Sequence, residues 1–154
     1  LVADFKCVAP HFGSRIILHD PDFITVLSQA EHHVQENISK EAIERGKGQQ
    51  VQIEIYRDYT LEDVKRWKSY GISHVIYNRP RTRTGPWAEV DVKDLKELID
   101  LGMDVTATGG ISYESLDILA ELPLYAIICG KSVLKAGYPA AEAERIKNRM
   151  MKLW

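Results

Sequence analysis

Apolar residues fall along the chain in two alternating rhythms. Short aliphatic and β-branched runs predict strands at Leu1–Phe5, Phe23–Leu27, Val51–Ile55, Ser73–Tyr77, Met103–Ala107 and Leu124–Ile128. Apolar residues at helical spacing fill the intervals. Thr60, followed by Glu62 and Asp63, reads as the N-cap of a helix carrying Val64 and Trp67 and stopped by Gly71. Val92, Leu95, Leu98 and Ile99 form the next stripe, with Asp91 as cap and Gly102 as stop. Ser112 starts a helix with Ser115, Leu116 and Leu119, and Pro139 opens another with Ala140, Ala143, Ile146, Met150 and Leu153. His32 to Arg45 also reads as helical, and His11 to His19 carries the weakest pattern.

A strand–helix unit repeated in this way predicts parallel strands and an α/β fold. Two architectures meet that description, an open doubly wound sheet and part of a (β/α)8 barrel of the TIM type. Periodicity leaves both open. No low-complexity stretch or linker interrupts the pattern, so residues 1–154 are expected to form a single domain.

Composition narrows the function classes. Twenty Lys and Arg against 22 Asp and Glu give a net charge of −2, which is no electrostatic footprint for nucleic acid. No apolar run approaches the roughly 20 residues that span a bilayer. Cys7 and Cys129 make neither a disulfide framework nor a metal cluster, and a cytoplasmic location is expected. The chain opens inside its first predicted strand without an initiator Met, as a processed or truncated chain would.

Parallel α/β folds place their sites at the carboxyl ends of the strands. The fifth strand runs into Thr106 to Ser112, with Thr108, Gly109 and Gly110, and the sixth into Cys129-Gly130-Lys131-Ser132. Either turn alone reads as a tight connection. Two glycine turns at successive strand ends, each before a helix, suit a phosphate, to which Lys131 adds a point charge. Asp4 and Lys6 share a face of the first strand. That pair could bind a metal or a sugar hydroxyl and supply a proton, but the spacing alone favours a strand-end salt bridge. Glu54, with Gln52 on its face, points to a polar site or a barrel mouth, or to a half-exposed edge strand. After the fourth strand come Asn78-Arg79-Pro80-Arg81-Thr82-Arg83. Arginines there suit an anionic substrate, although for Arg79 and Arg83 a solvated loop is the preferred reading. The five histidines form no metal set, and Trp67, Trp87 and Trp154 read as packing residues.

These pieces together resemble the 3-keto-L-gulonate-6-phosphate decarboxylase family of the orotidine-5′-monophosphate decarboxylase superfamily. The match is carried by Val51-Gln52-Ile53-Glu54, Trp67 with Gly71-Ile72-Ser73, Val75-Ile76-Tyr77, Arg81, Trp87 with Glu89, Thr106 to Gly110, Gly130-Lys131-Ser132, and Ile146-Lys147 to Leu153-Trp154. Ala3-Asp4-Phe5-Lys6 looks like the start of the family's Asp-x-Lys-x-x-Asp motif, while Pro10 to Gln50 matches in length more than in residues.

The resemblance implies the barrel, with the six visible units as strands three to eight. It also implies a homodimer with active sites at the subunit interface. The implied chemistry is magnesium-dependent decarboxylation of a sugar-acid phosphate through a stabilised enediolate. By position, Asp4 looks like the ligand of magnesium and substrate, Lys6 the lysine near the enediolate, and Glu54 a ligand of a substrate hydroxyl. Arg81 looks like the arginine that delivers a proton through water, and Asn78, Thr108 and Gly109 look like substrate contacts. Gly110, Gly130 and Lys131 look like the phosphate cradle, with Lys131 where the family has arginine.

Three positions depart from the family pattern. Ala9 stands where the motif has its second aspartate, Asn78 where a histidine precedes the arginine, and Thr82 where an aspartate follows it. The first two βα units of the family are also expected to be absent. The expectation is therefore a lyase. The alternatives are a degenerate relative that keeps a phosphate site without turnover, and an aldolase like hexulose-6-phosphate synthase.

Overall fold

The computed structural model of the chain describes residues 2–3, 15–56 and 59–154. Two compact units divide it, Leu1–Ile76 and Tyr77–Trp154. Among the described residues, six strands follow one another in chain order as hydrogen-bonded neighbours.

In the first unit, β1 (Val2–Ala3) pairs in parallel with β2 (Phe23–Leu27), and β2 with β3 (Gln50–Ile55). The alternation read in β3 has a structural counterpart. Val51, Ile53 and Ile55 are buried, and with Ile24 and Val26 they join Val34, Ile38 and Ala42 of α1 (His32–Glu44) in the core. Gln52, on the other face, donates to Thr25 Oγ1 at 2.9 Å in the adjacent strand. Glu54 stands opposite Leu27 in the register. Because β3 has neighbours on both sides, the edge-strand reading of Glu54 does not hold.

A buried glutamine organises the turn between β2 and α1. The Gln35 Nε2 donates to the carbonyls of Leu27, Ser28 and Ala30, and its Oε1 accepts from the buried Trp67 indole at 3.0 Å. An otherwise costly buried amide is thereby satisfied, and α1 is tied to α2 (Leu61–Ser69). Thr60 caps α2, as its sequence predicts, and the structure adds a full capping box with Asp63.

Strand β4 (His74–Asn78) crosses from the first unit into the second. The second unit continues with α3 (Glu89–Asp100), β5 (Asp104–Thr108), a 3-10 turn at Tyr113–Ser115 running into α4 (Leu116–Leu119), and β6 (Ala126–Ile128). It ends with α5 (Lys131–Leu134) and α6 (Pro139–Leu153), the latter opened by Pro139 in its first turn. Strands β5 and β6 pair in parallel from Thr106↔Ala126 to Thr108↔Ile128. Leu95, Leu98, Val105, Ala107, Leu116 and Leu119 form the core of this unit.

One helix start is corrected. Asp91 is not the N-cap of α3, a position held by Ala88. It lies three residues further on, fully buried, and its Oδ2 accepts the Ala88 backbone N–H at 3.0 Å. Among the described residues no helix is long and apolar enough to cross a membrane.

Candidate functional site

The carboxyl ends of β4, β5 and β6 bring several of the expected residues together within the second unit. Asn78 closes β4, Thr108 closes β5, and Gly130 and Lys131 follow β6. The strand ends are bonded to one another. The Arg79 N–H donates to the Thr108 carbonyl at 2.9 Å, and the Thr108 hydroxyl donates to the Ile128 carbonyl at 3.3 Å.

The two glycine turns are also joined. The Ser132 hydroxyl, next to Lys131, donates to the carbonyl of Ile111, next to Gly110, at 2.7 Å. Gly110 has φ +73° and open space where a side chain would begin, and Gly130 likewise has nothing within 4 Å of that position. Lys131 is exposed beside them. The turns therefore leave backbone approachable, with a cation at hand, which suits an anion carrying several oxygens.

Gly109 also has a packing role. Its φ of +103° and its close approach to Arg79 make it a packing glycine between the β4 and β5 loops. The Trp87 indole N–H donates to its carbonyl at 3.1 Å, so the turn is held from both sides.

The reading of Arg79 and Arg83 as solvated is overturned. Arg79 is only 8% exposed, and each of its three nitrogens donates: Nε to Asp91 Oδ2 at 3.0 Å, Nη1 to the Gly85 carbonyl and Nη2 to the Pro86 carbonyl, both at 2.8 Å. Its guanidinium lies 5.5 Å from the Trp87 ring centre. Arg83 donates to Asp91 Oδ1 at 2.9 Å and pairs with Asp94 Oδ2 at 2.8 Å, and Tyr77 donates to the same Asp94 oxygen at 2.8 Å. Burial raises the Asp91 carboxyl, but the bonds from Arg79, Arg83 and the Ala88 N–H outweigh it and hold the group below the usual carboxylate range. Two arginines facing two aspartates compensate one another, which explains why they leave solvent.

Arg81 lies between them and is exposed, in a turn closed by the Arg83 N–H on the Pro80 carbonyl at 3.0 Å. Glu54 belongs to the first unit, half-buried at the end of β3. Asp4 and Lys6 lie outside the described residues, and so do Cys7 and Ala9. Among the described residues no three His, Cys, Asp or Glu side chains gather as metal ligands. Sequence reasoning missed the Asp91 cluster, although its signal was present as two arginines four apart followed by two aspartates three apart. It also gave Ser132 no task.

No family model matches the chain. It is 30% identical over 176 residues to 3-keto-L-gulonate-6-phosphate decarboxylase of Escherichia coli, covering 99% of this chain and 78% of that protein. Among solved structures, a ligand complex of KGPDC from Streptococcus mutans superposes with a TM-score of 0.87 at 26% identity, over 99% of this chain and 73% of that one. The 3-keto-L-gulonate-6-phosphate decarboxylase of Vibrio cholerae gives 0.81 at 26%, over 99% and 70%. A 3-hexulose-6-phosphate synthase from Salmonella typhimurium shares the fold, with a TM-score of 0.78 at 18% identity, over 99% and 71%. The fold is that of a parallel (β/α) barrel of the TIM type, as sequence periodicity and family resemblance together led one to expect.

Proposed function

The chain belongs to the 3-keto-L-gulonate-6-phosphate decarboxylase family, and from that premise we propose that it is a lyase that removes carbon dioxide from 3-keto-L-gulonate 6-phosphate. The observation that carries this reading is the pair of open glycine turns at Gly110 and Gly130, joined through Ser132 and Ile111 and flanked by Lys131. Backbone N–H groups there donate to phosphate oxygens, and the Lys131 ammonium neutralises their charge. Anchoring the phosphate leaves the sugar acid directed along the strand ends, with Thr108 as a contact and Asn78 as a hydrogen-bonding partner. Glu54 is assigned to a substrate hydroxyl.

In the reaction the bond between the carboxylate and its neighbouring carbon breaks and carbon dioxide leaves. The electron pair stays on the substrate as an enediolate, which a proton then quenches at carbon. Lys6 is assigned to the developing negative charge, where a cation in a water-poor site has its largest effect. Arg81 is assigned to orient the water that delivers the proton. Asn78 carries no ionisable proton near neutrality, so in this chain it binds and does not act as an acid. Asp4 would hold magnesium, which would supply positive charge beside the substrate oxygens. A homodimer is part of the same proposal, to be read from sedimentation of the purified chain.

The test is carbon dioxide release from 3-keto-L-gulonate 6-phosphate with magnesium, comparing the chain with Asp4→Ala. Release that depends on Asp4 supports the lyase. A folded protein that binds inorganic phosphate but releases nothing sinks it in favour of a phosphate-binding relative without turnover. Formation of a hexulose 6-phosphate by aldol condensation in its place would point to the aldolase.

A further inference from the structure

We propose that Asp91 is the positioning residue for Arg81. It acts through Arg79 and Arg83, which flank Arg81 by two residues on either side and bind one oxygen each of the same buried carboxylate.

The geometry makes this a clamp on the whole loop. On one side Arg79 ties Asp91 to the carbonyls of Gly85 and Pro86, so the far arm of the loop is drawn back on its beginning. On the other side Arg83 joins Asp91, Asp94 and the Tyr77 hydroxyl, which it meets at 3.2 Å. Trp87 then fastens the loop's end to the Gly109 carbonyl. The Pro80–Arg83 turn is thereby held at both ends, and Arg81 sits at its exposed middle. Asp91 sits in the first turn of α3, a rigid element, and its carboxylate also accepts the Ala88 backbone N–H, so the anchor does not move with the loop. Misplacing a catalytic group by about 1 Å can cost about a hundredfold in rate, which is the scale on which such a clamp matters.

The inference rests on the lyase reading for its kinetic arm, and a second arm is independent of it. Asp91→Asn and Arg83→Gln are expected to lower kcat about tenfold or more with KM within about twofold, and Arg83→Lys to recover part of the loss. Arg83→Gln serves if Asp91→Asn fails to fold, because Asp91 then keeps Arg79. Added to Arg81→Ala, Arg83→Gln should change kcat by less than about twofold, because the residue it positions is already gone. A purely structural Arg83 would lower kcat equally in both backgrounds, and that result overturns the proposal. In the second arm, trypsin cleavage of the Arg81–Thr82 bond, followed by mass spectrometry, should run about tenfold faster in Arg83→Gln than in the unaltered chain. An unchanged cleavage rate also overturns the proposal. If the unaltered chain releases no carbon dioxide, the lyase reading fails by itself and the cleavage rate alone decides whether Asp91 holds the loop.

Discussion

Gly109 and Arg79 approach so closely that a Cβ built on the glycine would stand 2.8 Å from the Arg79 Cβ and 2.9 Å from its backbone nitrogen. The contact is made where the Arg79 N–H meets the Thr108 carbonyl, at the point where β4 and β5 end together. The same arginine then turns inward to Asp91, so one residue joins the two strand ends to the helix behind them.

Gly109→Ala should therefore be more damaging than Gly110→Ala, although both glycines have positive φ. At Gly109 the clash with backbone adds to the conformational strain, for an expected loss of about 2–4 kcal/mol. At Gly110 only the strain remains, about 1 kcal/mol, because the space beyond it is open. Urea unfolding midpoints of the two variants decide the order. A phosphate titration should show the reverse sensitivity, with Gly110→Ala obstructing the anion.

Asp91→Asn should destabilise the chain by about 3–5 kcal/mol near neutral pH, since it leaves buried Arg79 without its counter-charge. The pH dependence has a definite sign. The folded Asp91 carboxyl titrates below its ordinary 3.8, so its stabilisation is complete above that pH and is lost as the pH falls through the folded value. The gap between the two proteins should narrow only below about pH 4. A gap that closes near neutrality would exclude Asp91 as its source.

Tyr77→Phe removes a hydroxyl that donates to Asp94 and accepts from Arg83, and should cost about 1–2 kcal/mol. Burial, and then the bond to Asp94, push this hydroxyl well above the ordinary tyrosine value of 10.0. Its contribution is thus whole below that pH and erodes only as the solution becomes more alkaline. In a spectrophotometric titration, Tyr77→Phe should remove a component that ionises above the ordinary tyrosine value.

Much of this architecture is legible in the sequence, and the failures have physical reasons. Alternation in β3 and the capping box at Thr60 are local signals, read from residues that touch their own neighbours. The strand ends shift by a residue or two, as at β4, predicted over Ser73–Tyr77 and observed over His74–Asn78. Asp91 was misread because an acid in the first turn of a helix looks the same at the cap as at the third position. Only burial and the approach of Arg79 separate the two. Arg79 and Arg83 were misread because a run of arginines in a loop resembles a solvated segment until the acids of α3 are seen across from it. The glycine turns were legible as a pair, but the sequence could not say that Gly109 packs while Gly110 and Gly130 stay open. Asp4 and Lys6, which the resemblance assigns to the chemistry, lie outside the described residues.

The central claim, a sugar-acid phosphate lyase anchored at the Gly110–Gly130 cradle, is tested most directly by carbon dioxide release from 3-keto-L-gulonate 6-phosphate, from the same sugar acid without phosphate, and with Lys131→Ala. Removing one charged hydrogen-bonding partner of the phosphate corresponds to about 1.5–3 kcal/mol, or about 10–100-fold in KM. Release is expected from the phosphorylated compound alone, with a KM raised by that factor in Lys131→Ala and a folding stability within about 0.5 kcal/mol of the original for that exposed substitution. Release that ignores both the phosphate and Lys131, or no release from a folded chain, would contradict it.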